Sequence, residues 1–380
     1  MKRILFDIIS LQDYHNGGEE YVRAILKSLL ESHNVEIIGL YDSKLRFLDD
    51  DYINFNGKFK LIDIQNESLS EIISKEKIDT FFIGIGQRYS FYNLNGINCR
   101  TICVVHDIGN IEFSLNKIHY LFPKSLKQFI NLCLDYWMEK YKYSFSSRIK
   151  SAYEPLINFI KQPNVELITV SNYTANSIKF YFPELKDKDI RVFYPPVKNY
   201  KRNDNIDNPF IQRLLSESHP YLLLLNISRE NKNGHMILKA FQRIKLDFPE
   251  LRLVVTGAPQ EIFDNNILYL KYISNSDMEN LYRKAWALIY PSYTEGFGYP
   301  PVEAMKYGTP VLAANVCSMP EILGNAAIYF SPFYANDFSS SLHELKNRYE
   351  KTVNNCNLVY TQIHKKQISD TIQLTDIIKG

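Results

Sequence analysis

Two glutamates, Glu295 and Glu303, stand eight positions apart in the stretch best equipped for chemistry. An apolar run over residues 285–289 leads into a turn that carries Glu295. Gly296, Phe297 and Gly298 follow, then the pair Pro300-Pro301, then Glu303. Glycine lets a ligand approach the backbone closely. Proline suits a first helical position, because its missing N–H would be unpaired there anyway. The spacing predicts strand, turn and helix, with Glu303 in the helix's first turn. Unpaired N–H groups at a helix start favour an anion such as phosphate. An ordinary structural corner would use the same residues, so their meaning depends on what surrounds them.

The surrounding elements alternate. Residues 3–10, 35–41, 80–85, 101–105, 167–171 and 190–194 are short apolar runs, as parallel strands covered on both faces should be. Tyr21, Val22, Ile25, Leu26 and Leu29 recur at helical spacing over 19–30, and further helices are expected at 69–75 and 174–182. Residues 198–219 are rich in Asn, Asp, Lys and Ser, as a linker should be. A second series then begins, with strands at 221–227, 251–257, 267–270, 287–290, 310–314 and 327–330. Its helices are expected at 235–248, 276–285, 300–307 and 336–349. The expectation is an α/β chain of two doubly wound domains, 1–197 and 220–350, joined by the linker 198–219 and followed by a polar tail, 351–380. Ligands in such sheets sit beyond the carboxyl ends of the strands, which places the expected site in a cleft between facing domains.

A chain of 380 residues exceeds what one hydrophobic core usually serves. Its 44 basic and 42 acidic residues leave a formal charge of +2, against the strong basic excess of a dedicated nucleic-acid binder. The five cysteines form no Cys-x-x-Cys pair, which leaves no zinc ribbon or thioredoxin-type site and fits a reducing, cytoplasmic setting. Asp7 interrupts the opening apolar run where a signal peptide would continue, and no run approaches the ~18 apolar residues of a membrane span. Residues 117–161 break the alternation: they are aromatic, and eight basic residues face three acidic ones. Such a segment suits a helical hairpin with a solvated basic face, or peripheral contact with an anionic membrane surface.

The stretch EGFGYPPVEAMKYGTPV, continued by Ser318-Met319-Pro320-Glu321, resembles the Glu-x7-Glu signature of the GT-B fold retaining glycosyltransferases of family 4, also called group 1. The resemblance extends over nearly the whole chain and is strongest from 222 to 330. It implies two Rossmann-like domains facing a central cleft. It also implies transfer of a hexosyl unit from a nucleotide-diphosphate sugar to a glycan or lipid-linked acceptor, as in bacterial surface-polysaccharide assembly at the inner face of the cytoplasmic membrane. The donor is a substrate; no cofactor and no metal is implied. Glu303 would grip the vicinal hydroxyls of the ribose with charge-assisted bonds, which are strong. Glu295 would meet the donor sugar together with backbone N–H groups of Gly296, Phe297 and Gly298. Lys232 and Arg229 match the basic segment that stabilises the departing diphosphate, and such stabilisation is often the largest catalytic term. Many relatives place the arginine beside the lysine, where this chain has Asn231.

The same resemblance puts Gly17-Gly18 on a glycine loop facing the diphosphate and His106 near a hydroxyl of the donor sugar. Asp107 would orient that histidine or meet the acceptor. Ser171 reads as a helix N-cap. No nucleophile–base pair stands out, in keeping with same-face transfer carried by positioning and charge stabilisation. The acidic pairs Asp49/Asp51 and Asp187/Asp189 read as surface loops, and the tail lacks the tryptophan-bearing segment common in the family. Three rivals share parts of the pattern. A Rossmann dehydrogenase would need a third glycine after Gly84-Ile85-Gly86. A GT-B sugar-nucleotide epimerase would share fold and nucleotide site but turn over without an acceptor. A non-catalytic scaffold would have no need of Glu295, Glu303, Lys232 and His106. Mannose, glucose, galactose and N-acetylhexosamine donors are all compatible.

Overall fold

A computed structural model describes residues 1–12, 17–32, 34–47, 57–115, 126, 130, 145–198, 206–217 and 219–380. The chain forms two compact units: residues 1–198 with 366–380, and residues 199–365. The first contains strands β1 (Lys2–Asp7), β2 (Val35–Tyr41), β3 (Lys60–Asp63), β4 (Thr80–Ile83), β5 (Arg100–Val105), β6 (Val165–Thr169) and β7 (Ile190–Val192). Its described helices are α1 (Gly17–Leu30), α2 (Leu69–Lys75), α3 (Gly109–Leu115), α4 (Phe145–Ile160) and α5 (Asn172–Tyr181). The strand order is β3-β2-β1-β4-β5-β6-β7, with every pairing parallel. Chain direction across the sheet therefore reverses between β1 and β4, the switch point where doubly wound sheets open a crevice. Helix α1 buries Tyr21, Val22, Ile25, Leu26 and Leu29, the residues its spacing singles out. Ser171 caps α5 by accepting a bond from the Thr174 N–H at 3.2 Å, as read from the sequence.

The second unit repeats the plan. Its elements are helix α6 (Pro209–Ser216), strand β8 (Tyr221–Leu224), helix α7 (Gly234–Ile244), strands β9 (Arg252–Val255), β10 (Ile262–Asp264) and β11 (Ile267–Tyr269), helix α8 (Asn275–Lys284), strand β12 (Ala287–Tyr290), helix α9 (Tyr299–Met305), strand β13 (Val311–Ala314), helix α10 (Met319–Leu323), strand β14 (Ala327–Phe330) and helix α11 (Ala335–Asn347). The order is β10-β11-β9-β8-β12-β13-β14, parallel except for the β10–β11 hairpin, and the switch point lies between β8 and β12. Every residue of β8, β12 and β13 is buried, which is why these strands read as unbroken apolar runs.

The structure departs from expectation in three places. Inside the expected linker, Pro209–Ser216 form α6, capped by the Asn208 side chain on the N–H groups of Phe210 and Ile211. Residues 199–205 lie outside the described residues. The expected polar tail is instead part of a 31-residue helix, α12 (Tyr349–Lys379). Its buried positions include the polar Thr352, Gln367, Asp370 and Thr375, which hid the helical period. Of the basic aromatic segment 117–161, only Leu126, Ile130 and residues 145–161 are described, so its reading as a membrane contact falls largely outside them. Asp49 and Asp51 lie outside as well, whereas Asp187 and Asp189 are exposed. Among the described residues no helix is long and apolar enough to cross a membrane.

Candidate functional site

Lys232 owes its place to the backbone turn that follows β8. Asn226 and Asn233 both adopt the left-handed conformation, at φ of 56° and 53°, which asparagine tolerates better than most side chains. Asn233 is pinned there: its amide donates to the Pro332 carbonyl at 2.7 Å and accepts from the Tyr293 hydroxyl at 2.9 Å. Gly234 opens α7 directly afterwards, where a Cβ would stand 2.8 Å from Ile227 Cγ1. The short 3-10 turn Glu230–Lys232 is thereby held at the carboxyl end of β8. Arg229 precedes this turn with an exposed side chain.

Glu295 comes from the neighbouring strand. Beyond Tyr290 the chain is tied on two sides. The Tyr293 N–H donates to the Asn231 carbonyl at 2.9 Å, and the Ser318 hydroxyl donates to the Glu295 carbonyl at 2.9 Å. The Glu295 carboxylate is thus brought into an ion pair with Lys232, each side chain only 13% exposed. Tyr290 sits beneath both. The Lys232 ammonium donates to its hydroxyl at 2.9 Å and lies 4.8 Å from its ring centroid. Burial, then the charge of Glu295 and the bond to it, push the Tyr290 phenol well above its ordinary value, so it remains a neutral donor to that carboxylate.

Glu303 sits differently from expectation. Gly298, at φ 84°, caps α9, and the helix begins at Tyr299. Glu303 is therefore the fifth residue and lies past the first turn, because the left-handed glycine lets the helix start one residue before the prolines. Its carboxylate accepts a bond from the buried Tyr282 hydroxyl of α8 at 3.0 Å. Its charge also bears on Tyr290. Phe297 is buried, with its ring 5.6 Å from that of Tyr299, and Gly296 and Gly298 are buried too. This turn can offer a ligand backbone groups rather than an aromatic face.

In the first unit, Gly17 and Gly18 are the opening residues of α1 rather than a free loop, both partly buried. A glycine pair reads as a turn by composition, yet here the helix already begins with it. His106 follows β5. Its Nε2 stands 2.9 Å from the Gly84 carbonyl, which can only accept, so Nε2 carries the proton and Nδ1 keeps the lone pair. The Tyr21 ring meets the imidazole edge-on at 4.7 Å. Burial lowers the His106 pKa below its ordinary value, against the opposing pull of Gly84 and Asp107. The Asp107 carboxylate accepts from the Gly109 N–H at 2.8 Å, and its carbonyl accepts from the Gln87 amide.

The structure thus joins Lys232 directly to Glu295, with Tyr290 against that pair and within reach of the charge of Glu303. Tyr290 and Tyr282 were not singled out by sequence; the available signal was a tyrosine at the carboxyl end of a buried strand beside a predicted phosphate segment.

These features meet the comparisons with known proteins. Residues 206–357 match the family described as glycosyl transferases group 1. An O-antigen chain mannosyltransferase, RfbU, from Salmonella typhimurium is 29% identical over 190 residues, covering 47% of this chain and 50% of the relative. The O-antigen chain mannosyltransferase B of Escherichia coli is 27% identical over 180 residues, covering 44% and 47%. The chain spans about half the length of these curated relatives. Among solved structures, sucrose-phosphate synthase from Thermosynechococcus elongatus superimposes with a TM-score of 0.70 at 13% identity, covering 100% of this chain and 98% of that one. WaaG, a glycosyltransferase involved in lipopolysaccharide biosynthesis, gives 0.64 at 14% identity with full coverage of both. The fold is GT-B, with two Rossmann-like units.

Proposed function

We propose that the chain is a retaining hexosyltransferase that moves a sugar, mannose in the first instance, from a nucleotide-diphosphate donor to a glycan or lipid-linked saccharide in surface-polysaccharide assembly. The observation that carries this reading is the Lys232–Tyr290–Glu295 cluster at the switch point between β8 and β12. The choice of mannose rests on the relatives named as O-antigen mannosyltransferases. Solved neighbours described in complex with UDP, glucose or UDP-glucose support a nucleotide-sugar donor.

The chemistry follows from charge. Breaking the sugar–phosphate bond leaves negative charge on the diphosphate, and a preplaced cation stabilises it. Lys232 is that cation, with Arg229 at the entrance of the same turn. Before donor arrives, Glu295 neutralises Lys232; with donor in place, the phosphate takes a share of the ammonium and Glu295 can accept from sugar hydroxyls. Glu303, steadied by Tyr282, grips the ribose. His106, neutral with its Nδ1 lone pair available as an acceptor, takes a bond from a sugar hydroxyl. The backbone of Gly296–Gly298 lines the donor. These cations take the role a metal would otherwise fill, so the transfer needs none.

The test is a panel of GDP-mannose, UDP-glucose, UDP-galactose and UDP-N-acetylhexosamines, read first by thermal shift and then by transfer of labelled sugar in the presence of EDTA. One donor should raise the melting temperature and transfer, Glu303→Ala should weaken that binding, and Lys232→Ala should lower turnover at near-normal stability. Unchanged activity in both variants would overturn the site. Donor conversion without an acceptor would replace transfer by epimerisation, and no thermal response to any nucleotide would favour a scaffold.

A further inference from the structure

Asp7, the last residue of β1, is a fully buried carboxylate that the proposed mechanism does not use. Oδ1 accepts from the Ser10 N–H at 3.1 Å and the Tyr89 hydroxyl at 2.9 Å; Oδ2 accepts from the Ser10 hydroxyl and from the Gly84 N–H at 3.1 Å. All four donors are uncharged. Burying a carboxylate away from water is expensive: burial raises the Asp7 pKa above its ordinary value, and the bonds from Ser10, Tyr89 and Gly84 pull it back only in part. The residue at the centre of this arrangement is Gly84. Its N–H is held by Asp7 while its carbonyl accepts from His106 Nε2.

Gly84 has to be glycine for a separate reason: a Cβ there would stand 2.3 Å from Val22 Cγ2 of α1. The close approach of helix to strand thus puts the most conformationally free residue type at the point where His106 is anchored. Left alone, the Gly84 carbonyl could rotate away, and the imidazole could exchange its proton between nitrogens. We propose that Asp7 is a positioning residue for His106: it anchors one of the two peptide planes that meet at Gly84, His106 holds the other through the carbonyl, and with the first plane fixed the carbonyl has less room to turn away and keeps the proton on Nε2. Nδ1 is then always the acceptor that a sugar hydroxyl meets. The catalytic consequence rests on the function proposed above; the tautomer itself does not.

Two measurements on the full chain test the idea. In protein labelled with 15N-histidine, long-range proton–nitrogen correlation spectra should show His106 as a single Nε2–H tautomer. In Asp7→Asn the carboxamide must present an NH2 to one of the four donors, so a second tautomer should appear. Turnover should fall about 10-fold or more, with the donor KM within about threefold. A folded Asp7→Asn protein whose His106 remains purely Nε2–H overturns the proposal. Should that variant not fold, the native chain decides. The Gly84 amide should exchange with solvent as slowly as the strand core, and exchange at loop rates overturns the proposal just as firmly. If Asp7→Asn shifts the tautomer but neither protein transfers sugar, the positioning role stands and the functional reading fails.

Discussion

The hydroxyl of Tyr290 is a single atom shared by a cation and a carboxylate. Tyr290→Phe keeps the ring beneath the ammonium and removes only that hydroxyl, so the fold should lose little. Lys232 and Glu295 would lose their common partner, and a lost bond to a charged group is worth about 1.5–3 kcal/mol. Expressed in the transition state, that is about 10- to 100-fold in turnover. Steady-state kinetics with a near-unchanged melting temperature would agree; unchanged turnover would remove Tyr290 from the site. His106 gives a pH prediction. Its pKa is lowered in the folded chain, so below the ordinary value of 6.5 the unfolded chain binds more protons than the folded one. The contribution is therefore fully present above 6.5 and lost as pH falls towards the folded value. An NMR titration of His106 should have its midpoint below 6.5; a midpoint above it would contradict the burial argument. Glu295, Glu303 and Lys232 were singled out in the sequence by the family signature they resemble, and the structure pairs the first with the last. Tyr290, Tyr282 and Asp7 were not, because each fits a buried strand or helix equally well until its partners are in place.

At the scale of elements, the corner from β12 to α9 depends on Gly298. Its φ of 84° suits glycine, and a Cβ would fall 2.5 Å from Met319 Cε. Methionine's terminal methyl can withdraw, so the backbone decides the outcome. Gly298→Ala should destabilise the chain by about 1–2 kcal/mol, readable as a lowered urea midpoint, and should weaken donor binding because the turn carrying Glu295 and the start of α9 shift together. A midpoint equal to the parent's would mean the left-handed turn is not what shapes this corner. The parallel strands were legible because burial on both faces leaves continuous apolar runs. The misses share a cause in scarcity of apolar residues. β3 has four residues, of which only Asp63 is buried; β10 has three, all exposed. Helix α6 buries just Ile211 and Leu214 within a polar stretch. Helix α9 was legible as a helix, but its start was not, since the left-handed conformation of Gly298 moves Glu303 beyond the first turn.

For the whole molecule, the unexpected piece is the last part of α12, which belongs to the first unit although the chain has by then built the second. Asp370 accepts from the Tyr194 N–H at 2.7 Å, and the Gln367 amide donates to the Pro195 carbonyl at 2.7 Å. Thr375 meets Ser28 at 3.1 Å, Arg100 donates to the Ile377 carbonyl at 2.6 Å, and Leu374 and Ile378 are buried. The first unit is thus closed by residues separated from its other strands by the entire second unit, an arrangement no local pattern could reveal. Burying Leu374 and Ile378 contributes about 1.5–3 kcal/mol each. Losing the bond from the Tyr194 N–H to the buried Asp370 carboxylate costs about 1.5–3 kcal/mol. Those sums are a large part of the ~5–15 kcal/mol that holds a domain folded. Asp370→Ala should therefore raise hydrogen exchange over 190–197 while leaving 221–330 protected, and removal of 366–380 should extend the loss to β1 and β5. Protection over 190–197 that survives both changes would show that this helix end merely rests on the first unit, rather than completing it.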